Sequence, residues 1–224
     1  MQNQQSSDYV QPWYPLFLDL ADRPALIVGG GEVAARKMQG LLEAGARITV
    51  IAPRAAEEIE RLAGEERIRL RRREWQTGDC RGFTLVYAAT DTPAINTQVC
   101  TEAAEWGQLY GSTDGPPAGG FAAPATVRRG PLTLAVSTTG RIPALTAALR
   151  HYFERKLYPG IGEEIEAAAA ERERLLAERP HQPHQPHQQQ QRQQRKNTAG
   201  EELKDLRSQL RPMIDAIIGK IEKR

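Results

Sequence analysis

The sequence predicts an α/β protein, with a doubly wound parallel sheet followed by a small β-containing region and a helical C-terminal domain. Three observations carry this. Short apolar runs at Ala25–Val28, Arg47–Ile51 and Phe83–Ala89 alternate with stretches of helical period, the order expected of a parallel sheet wound with helices. The run Phe83–Ala89 is almost continuously apolar, the mark of a strand covered on both faces. The first run ends on Gly29, Gly30 and Gly31 and passes straight into a helical pattern.

Residues 1–12 are polar and read as a disordered N-terminus. Trp13–Leu20 is an apolar lead-in, and Asp22-Arg23-Pro24 is a turn signal before the first strand. Gly29-x-Gly31-x-x-Ala34 has the spacing of the dinucleotide fingerprint in its Ala-ending form. Gly29 permits the tight strand-to-helix turn, and Gly31 lacks the Cβ that would hold a pyrophosphate off the backbone. Ala34 is small enough for the helix to lie close on the strand. The N–H groups at the helix start, with the positive end of its dipole, face the phosphates. No Gly-Lys-Ser/Thr follows, so this is not a Walker loop. A tight turn that binds nothing would use the same glycines, and the spacing alone leaves that open.

The helix carries Ala34, Met38, Leu41, Leu42 and Ala44 near one face, and Gly45 ends it. Arg47–Ile51 is the second strand, closed by Ala52-Pro53, and an Ala/Glu-rich helix runs over about 55–63. Ile68 and Leu70 alternate with arginines as a half-exposed third strand. After Phe83–Ala89 come Thr90-Asp91-Thr92-Pro93, where Asp91 or Thr92 can cap a helix and Pro93 suits its first turn. That helix presents Ile95, Val99 and Ala103 up to Trp106, and Gln108–Gly111 is a fifth strand. Residues 13–113 thus read as one Rossmann-like, doubly wound domain, an NAD-binding one if the glycine turn holds a dinucleotide.

Ser112–Gly120 is a glycine- and proline-rich loop containing Asp114. Phe121–Val127 and Leu132–Ser137 read as two strands around an Arg128-Arg129-Gly130-Pro131 turn. Beyond 142 the pattern is helical over 143–224, with helices from Pro143 to near Lys156, Gly162–Glu178 and Leu203–Ile221. A His/Gln/Pro repeat at about 180–199 interrupts it as a low-complexity insertion.

A net charge of +2 gives no global field that argues for nucleic acid, although arginines cluster at 71–73, 128–129 and 150–156. Cys80 and Cys100 have no metal-ligand spacing and read as reduced thiols. The N-terminus shows neither a basic n-region nor an apolar h-region, and no apolar run is long enough to span a bilayer. The expectation is a cytoplasmic protein without a membrane segment.

Two features bear on chemistry. An acidic residue commonly ends the second strand of such folds to hold the adenosine ribose, but here Ile51-Ala52-Pro53-Arg54 stands there. Arg54 would suit a 2′-phosphate or simply be solvated, so the choice between NAD and NADP stays open on these residues. No His-Asp, Ser-Lys or Tyr-x-x-x-Lys set is visible, and Asp114 follows the fifth strand, where ligands bind. It could be a general base, a weak oxygen ligand for a divalent metal, or a turn-forming aspartate before Gly115.

Trp13–Leu20, Val28–Lys37, Leu42–Val50, Ala88–Asp91 and Gly130–Thr138 together resemble the precorrin-2 dehydrogenase/sirohydrochlorin ferrochelatase family, which also forms the N-terminal module of siroheme synthase. The resemblance spans about 13–160. It implies NAD-dependent oxidation of precorrin-2 to sirohydrochlorin, and in some members insertion of ferrous iron as a further substrate. It also implies an intertwined homodimer, with 114–142 supplying an active-site loop and dimerisation strands. Asp114 matches the family's active-site aspartate. Gly29, Gly30, Gly31, Glu32, Val33, Ala34, Pro53, Arg54, Ala89 and Thr90 match the NAD site, and the family's missing acid after the second strand favours NAD. Ser137 and Thr138 match a loop at the tetrapyrrole site, although Thr138-Thr139-Gly140 departs from a frequent Ser-Gly-Gly and Gly111 replaces a frequent Asn. Because the substrate is a polycarboxylate, Arg141 is the first candidate anchor, with Arg128, Arg129 and Arg150 behind it. The readings that compete are an unrelated NAD(P) oxidoreductase and a nucleotide-sensing regulatory module.

Overall fold

The computed structural model describes residues 13–115, 120–177 and 208–222. The expected disorder of 1–12, the low-complexity insertion at 180–199 and part of the 112–120 loop lie outside the described residues. Two compact units emerge, one within Met1–Ala123 with Thr139–Arg141, the other within Pro124–Thr138 with Ile142–Arg224.

The first unit is a five-stranded sheet with all neighbours parallel: β1 (Pro24–Val28), β2 (Arg47–Ile51), β3 (Arg69–Arg71), β4 (Leu85–Ala88) and β5 (Leu109–Ser112). Their spatial order is β3-β2-β1-β4-β5. Every residue from Ala25 to Val28 and from Leu85 to Ala88 is buried, as expected of central strands packed on both faces. α1 (Glu32–Glu43) and α2 (Glu57–Gly64) cover one face through Ala34, Met38, Ile59 and Leu62. α3 (Pro93–Glu105) covers the other through Val99, Cys100 and Ala103. Strand order therefore reverses between β1 and β4, and their carboxyl ends flank the crevice where such sheets bind ligands.

Helix ends follow local chemistry. Gly45 (φ +76°) and Gly107 (φ +65°) sit in the left-handed region just past α1 and α3. Thr92 is the N-cap of α3, but its own carbonyl, not its side chain, meets the first-turn N–H groups of Ile95 and Asn96.

In the second unit, β6 (Ala125–Arg129) and β7 (Leu132–Val136) form an antiparallel pair. The strand expected at Phe121–Val127 is displaced toward the C-terminus, and Arg128 and Arg129 lie in it instead of in the turn. Two contacts account for this. The Phe121 N–H bonds the Tyr110 carbonyl (2.8 Å), which keeps that residue with β5. Gly130 takes φ +56° against Gly162, so the chain reverses at Gly130-Pro131. α4 (Pro143–Lys156), α5 (Ile161–Ala177) and a helix over 208–222 (α6) follow. Val127, Leu157, Tyr158 and Ile161 make this unit's core, with Ile217 and Ile221 of α6 packed on it.

Candidate functional site

The turn after β1 is shaped by what surrounds each glycine. Gly29 has φ +118°, and a Cβ there would fall 2.2 Å from the Ala89 carbonyl oxygen. At Gly30 a Cβ would fall 2.1 Å from the Arg54 carbonyl oxygen, a role the sequence did not disclose. At Gly31 nothing lies within 4 Å of that position. Gly31 is the N-cap of α1 in extended conformation, so the N–H groups of Glu32, Val33 and Ala34 have no acceptor within the helix. Glu32 and Val33 are exposed and Ala34 is fully buried. Two glycines forced by packing and one left open toward solvent fit a bound pyrophosphate.

The β2 end adds a backbone contribution. Gly29 donates to the Ile51 carbonyl (2.9 Å), Ala56 donates to the Gly30 carbonyl (2.7 Å), and Pro53 and Arg54 are exposed beside them. No carboxylate occupies positions 51–54.

Across the switch point, Ala89 donates to the Val28 carbonyl (2.7 Å) and Thr90 begins the β4–α3 loop. That loop is tied down by Asn96, which is 1% exposed and which sequence reading missed. Its Oδ1 accepts the Thr90 N–H (3.0 Å) and the Thr90 hydroxyl (2.8 Å). Its Nδ2 donates to the Thr90 carbonyl (3.0 Å) and to Asp114 Oδ2 (2.7 Å). A signal existed: Asn96, Val99, Cys100 and Ala103 share one helical stripe, and the asparagine is the polar member on an otherwise apolar face.

Asp114 is exposed, and its N–H donates to Ser112 Oγ (3.1 Å) at the end of β5. Its charge is felt by Cys100, whose thiol is pushed up chiefly by burial and further by this carboxylate. The structure thus joins the Gly29 turn, Ala89-Thr90, Asn96 and Asp114 in one run of contacts within the first unit. Phe121 closes that unit near β5: its ring lies edge-on to Tyr87 (5.6 Å) and against Gly111, where a Cβ would come within 3.0 Å of it. A side chain at 111 would require that ring to give by a few tenths of an ångström.

The other candidates divide. Arg141 is exposed and makes no ion pair among the described residues. Ser137 is exposed, whereas Thr138 Oγ1 accepts the Ile142 N–H (3.1 Å) and meets Thr146 Oγ1 (3.0 Å) at the start of α4. Arg129 is engaged elsewhere than an anchor requires, donating to the Leu157, Arg128 and Glu154 carbonyls. Arg150 pairs with Glu154 one turn along α4. Among the described residues no three His, Cys, Asp or Glu converge as a metal site, and no helix is long and apolar enough to cross a membrane.

Residues 16–125 match a family model described as putative NAD(P)-binding. The chain is 44% identical over 163 residues to a siroheme synthase of Methylococcus capsulatus, covering 73% of this chain and 34% of that protein. It is 38% identical over 156 residues to siroheme synthase 1 of Serratia proteamaculans, covering 70% and 33%. It therefore spans about a third of the length of the curated relatives it matches. Among solved structures it is similar to SirC, a precorrin-2 dehydrogenase, with a TM-score of 0.67 and 25% identity, over 95% of this chain and 100% of that one.

Proposed function

We propose that the chain is a member of the precorrin-2 dehydrogenase/sirohydrochlorin ferrochelatase family it resembles, and that it oxidises precorrin-2 to sirohydrochlorin with NAD, on the way to siroheme. The observation that carries this reading is the contact run from the glycine turn through Thr90 and Asn96 to the Asp114 carboxylate. The dinucleotide, when bound, accepts the hydride that the reduced macrocycle gives up. Gly29 and Gly30 set the turn, Gly31 and the α1 N–H groups receive the pyrophosphate, and Glu32, Val33, Pro53, Arg54, Ala89 and Thr90 border the cofactor. A carboxylate oxygen of Asp114 takes the proton released as the hydride leaves, so that the macrocycle loses one hydride and one proton in all. NAD is favoured over NADP because the β2 end offers backbone and packing, as in the family the chain resembles. Ser137, Thr138 and Arg141 are assigned to the polycarboxylate substrate.

The same carboxylate can draw protons from the macrocycle for ferrous iron insertion, with the iron as substrate. A homodimer is supported by α4, which buries none of its 14 residues and leaves Leu145 and Tyr152, with Ile142 at its N-cap, about half exposed. Two buried, unpaired thiols suit the reducing cytoplasm.

The test supplies precorrin-2 and NAD to wild type and to Asp114→Asn, then ferrous iron with sirohydrochlorin. Loss of on the order of 10²–10⁴-fold in kcat for the variant is expected for a positioned general base. Full activity in Asp114→Asn removes the assignment. Iron insertion no faster than the uncatalysed rate restricts the chain to dehydrogenation. Light scattering that gives the mass of one chain overturns the dimer.

A further inference from the structure

We propose that Asn96 is a positioning residue for the reaction, coupling the cofactor loop to the Asp114 carboxylate. The inference rests on the reading of Asp114 as proton acceptor.

A side-chain amide offers two donor hydrogens and an acceptor oxygen with two lone pairs. In Asn96 both donor hydrogens are used, one out to the Thr90 carbonyl and one out to Asp114. Its Oδ1 takes the Thr90 N–H and faces the Thr90 hydroxyl at 2.8 Å, nearer than the Thr92 carbonyl (3.1 Å) that the same hydroxyl also reaches. The amide orientation is fixed by chemistry, because the Thr90 N–H can only donate and must face Oδ1. Nδ2 is thereby turned toward the carboxylate. At 1% exposure the amide has no water to replace a lost partner. Thr90 is anchored further, since its Oγ1 accepts the Thr92 N–H (3.2 Å).

The loop on the other side of this amide is the one that the Gly29 turn abuts, with Thr90 N 2.9 Å from the position of a Gly29 Cβ. A shift of the cofactor loop therefore reaches Asp114 through one rigid, hydrogen-bonded group. Asp114 itself sits on an exposed turn, where the Ser112 hydroxyl alone would leave its carboxylate free to rotate. Asn96 selects one carboxylate orientation before substrate arrives, a contribution to kcat and not to substrate affinity.

The experiment compares wild type, Asn96→Asp, Asn96→Ser, Asp114→Asn and the Asn96→Ser/Asp114→Asn double variant. Asn96→Asp keeps the acceptor for the Thr90 N–H but sets a carboxylate against Asp114. Its kcat should fall roughly 10- to 100-fold, with KM for precorrin-2 and the NAD dissociation constant within about threefold of wild type. Asn96→Ser loses both links, so NAD binding, titrated by fluorescence without substrate, weakens along with kcat. It also stands in should Asn96→Asp fail to fold.

In the Asp114→Asn background, Asn96→Ser should cost nothing further in kcat, because the group it positions is gone. A folded Asn96 variant with kcat within about twofold of wild type overturns the proposal, as do fully additive losses in the double variant. Retained activity in Asp114→Asn alone defeats the premise instead, and the two failures are told apart by that single variant.

Discussion

Gly30 and Arg54 are in closer register than any side chain would allow: a Cβ on Gly30 would stand 2.1 Å from the Arg54 carbonyl oxygen and 2.8 Å from Ala52 Cβ. The Ala56 N–H also closes on the Gly30 carbonyl at 2.7 Å. The middle glycine of the fingerprint thus serves the β2–α2 connection, while its neighbour Gly31 faces open space.

The two glycines should separate cleanly on mutation. Gly30→Ala must push backbone away and should cost about 3 kcal/mol or more, seen as a lowered midpoint in urea. Gly31→Ala should cost under about 1 kcal/mol, chiefly as a poorer N-cap, yet weaken NAD binding about tenfold or more by filling the phosphate approach. Equal midpoints for the two variants would refute this division.

Arg141→Ala should raise KM for precorrin-2 by about tenfold or more with a smaller change in kcat, as expected for loss of a charged hydrogen bond made equally in ground and transition states. Steady-state kinetics at fixed NAD check it. Unchanged KM removes Arg141 from the substrate contacts.

Glu66 should be improvable. α1, α2 and α3 all end in the same paired closure, with the C′ and C″ N–H groups returning to the last turn. Gly45 and Gly107 hold the left-handed position in α1 and α3, but Glu66 (φ +56°) holds it after α2. Glu66→Gly should therefore stabilise the protein by about 1 kcal/mol, after the greater chain entropy of glycine is offset. A thermal melt with unchanged or lowered midpoint counts against it.

Cys80 makes the protein sensitive to alkali. Burial, with the Glu102 carboxylate beside it, pushes the thiol up to about 12. Unfolding returns it to an ordinary value of about 8.5, so the unfolded chain ionises first as pH rises. The stability contributed below the ordinary value is then lost as pH climbs toward about 12. The difference in melting temperature between wild type and Cys80→Ala should shrink from pH 8 to 11, in conditions where other groups titrate equally in both. Iodoacetamide at pH 8 should label Cys80 only after denaturation.

Much of this molecule is legible in its sequence. The five parallel strands, the helix stop at Gly45, the proline opening α3 and the openness of Gly31 all follow from short-range rules: residue period, steric limits on φ and the absence of a Cβ. Asp114 is legible too, as the acid after the fifth strand. At Phe121–Val127 the local signal is weak, and the strand runs over Ala125–Arg129 instead, because a bond to Tyr110 and contact with Gly162 decide its ends.

By itself the sequence determined the order of elements and the residues able to bear the chemistry, since both are written in neighbours along the chain. The tertiary structure alone decided which of them meet. Asn96 reaches Asp114 across 18 residues, and Gly30 meets Arg54 because β2 lies beside β1. Such contacts arise from strand pairing and helix packing, where the free energy of burial, not the local conformational preference of either residue, fixes the distance.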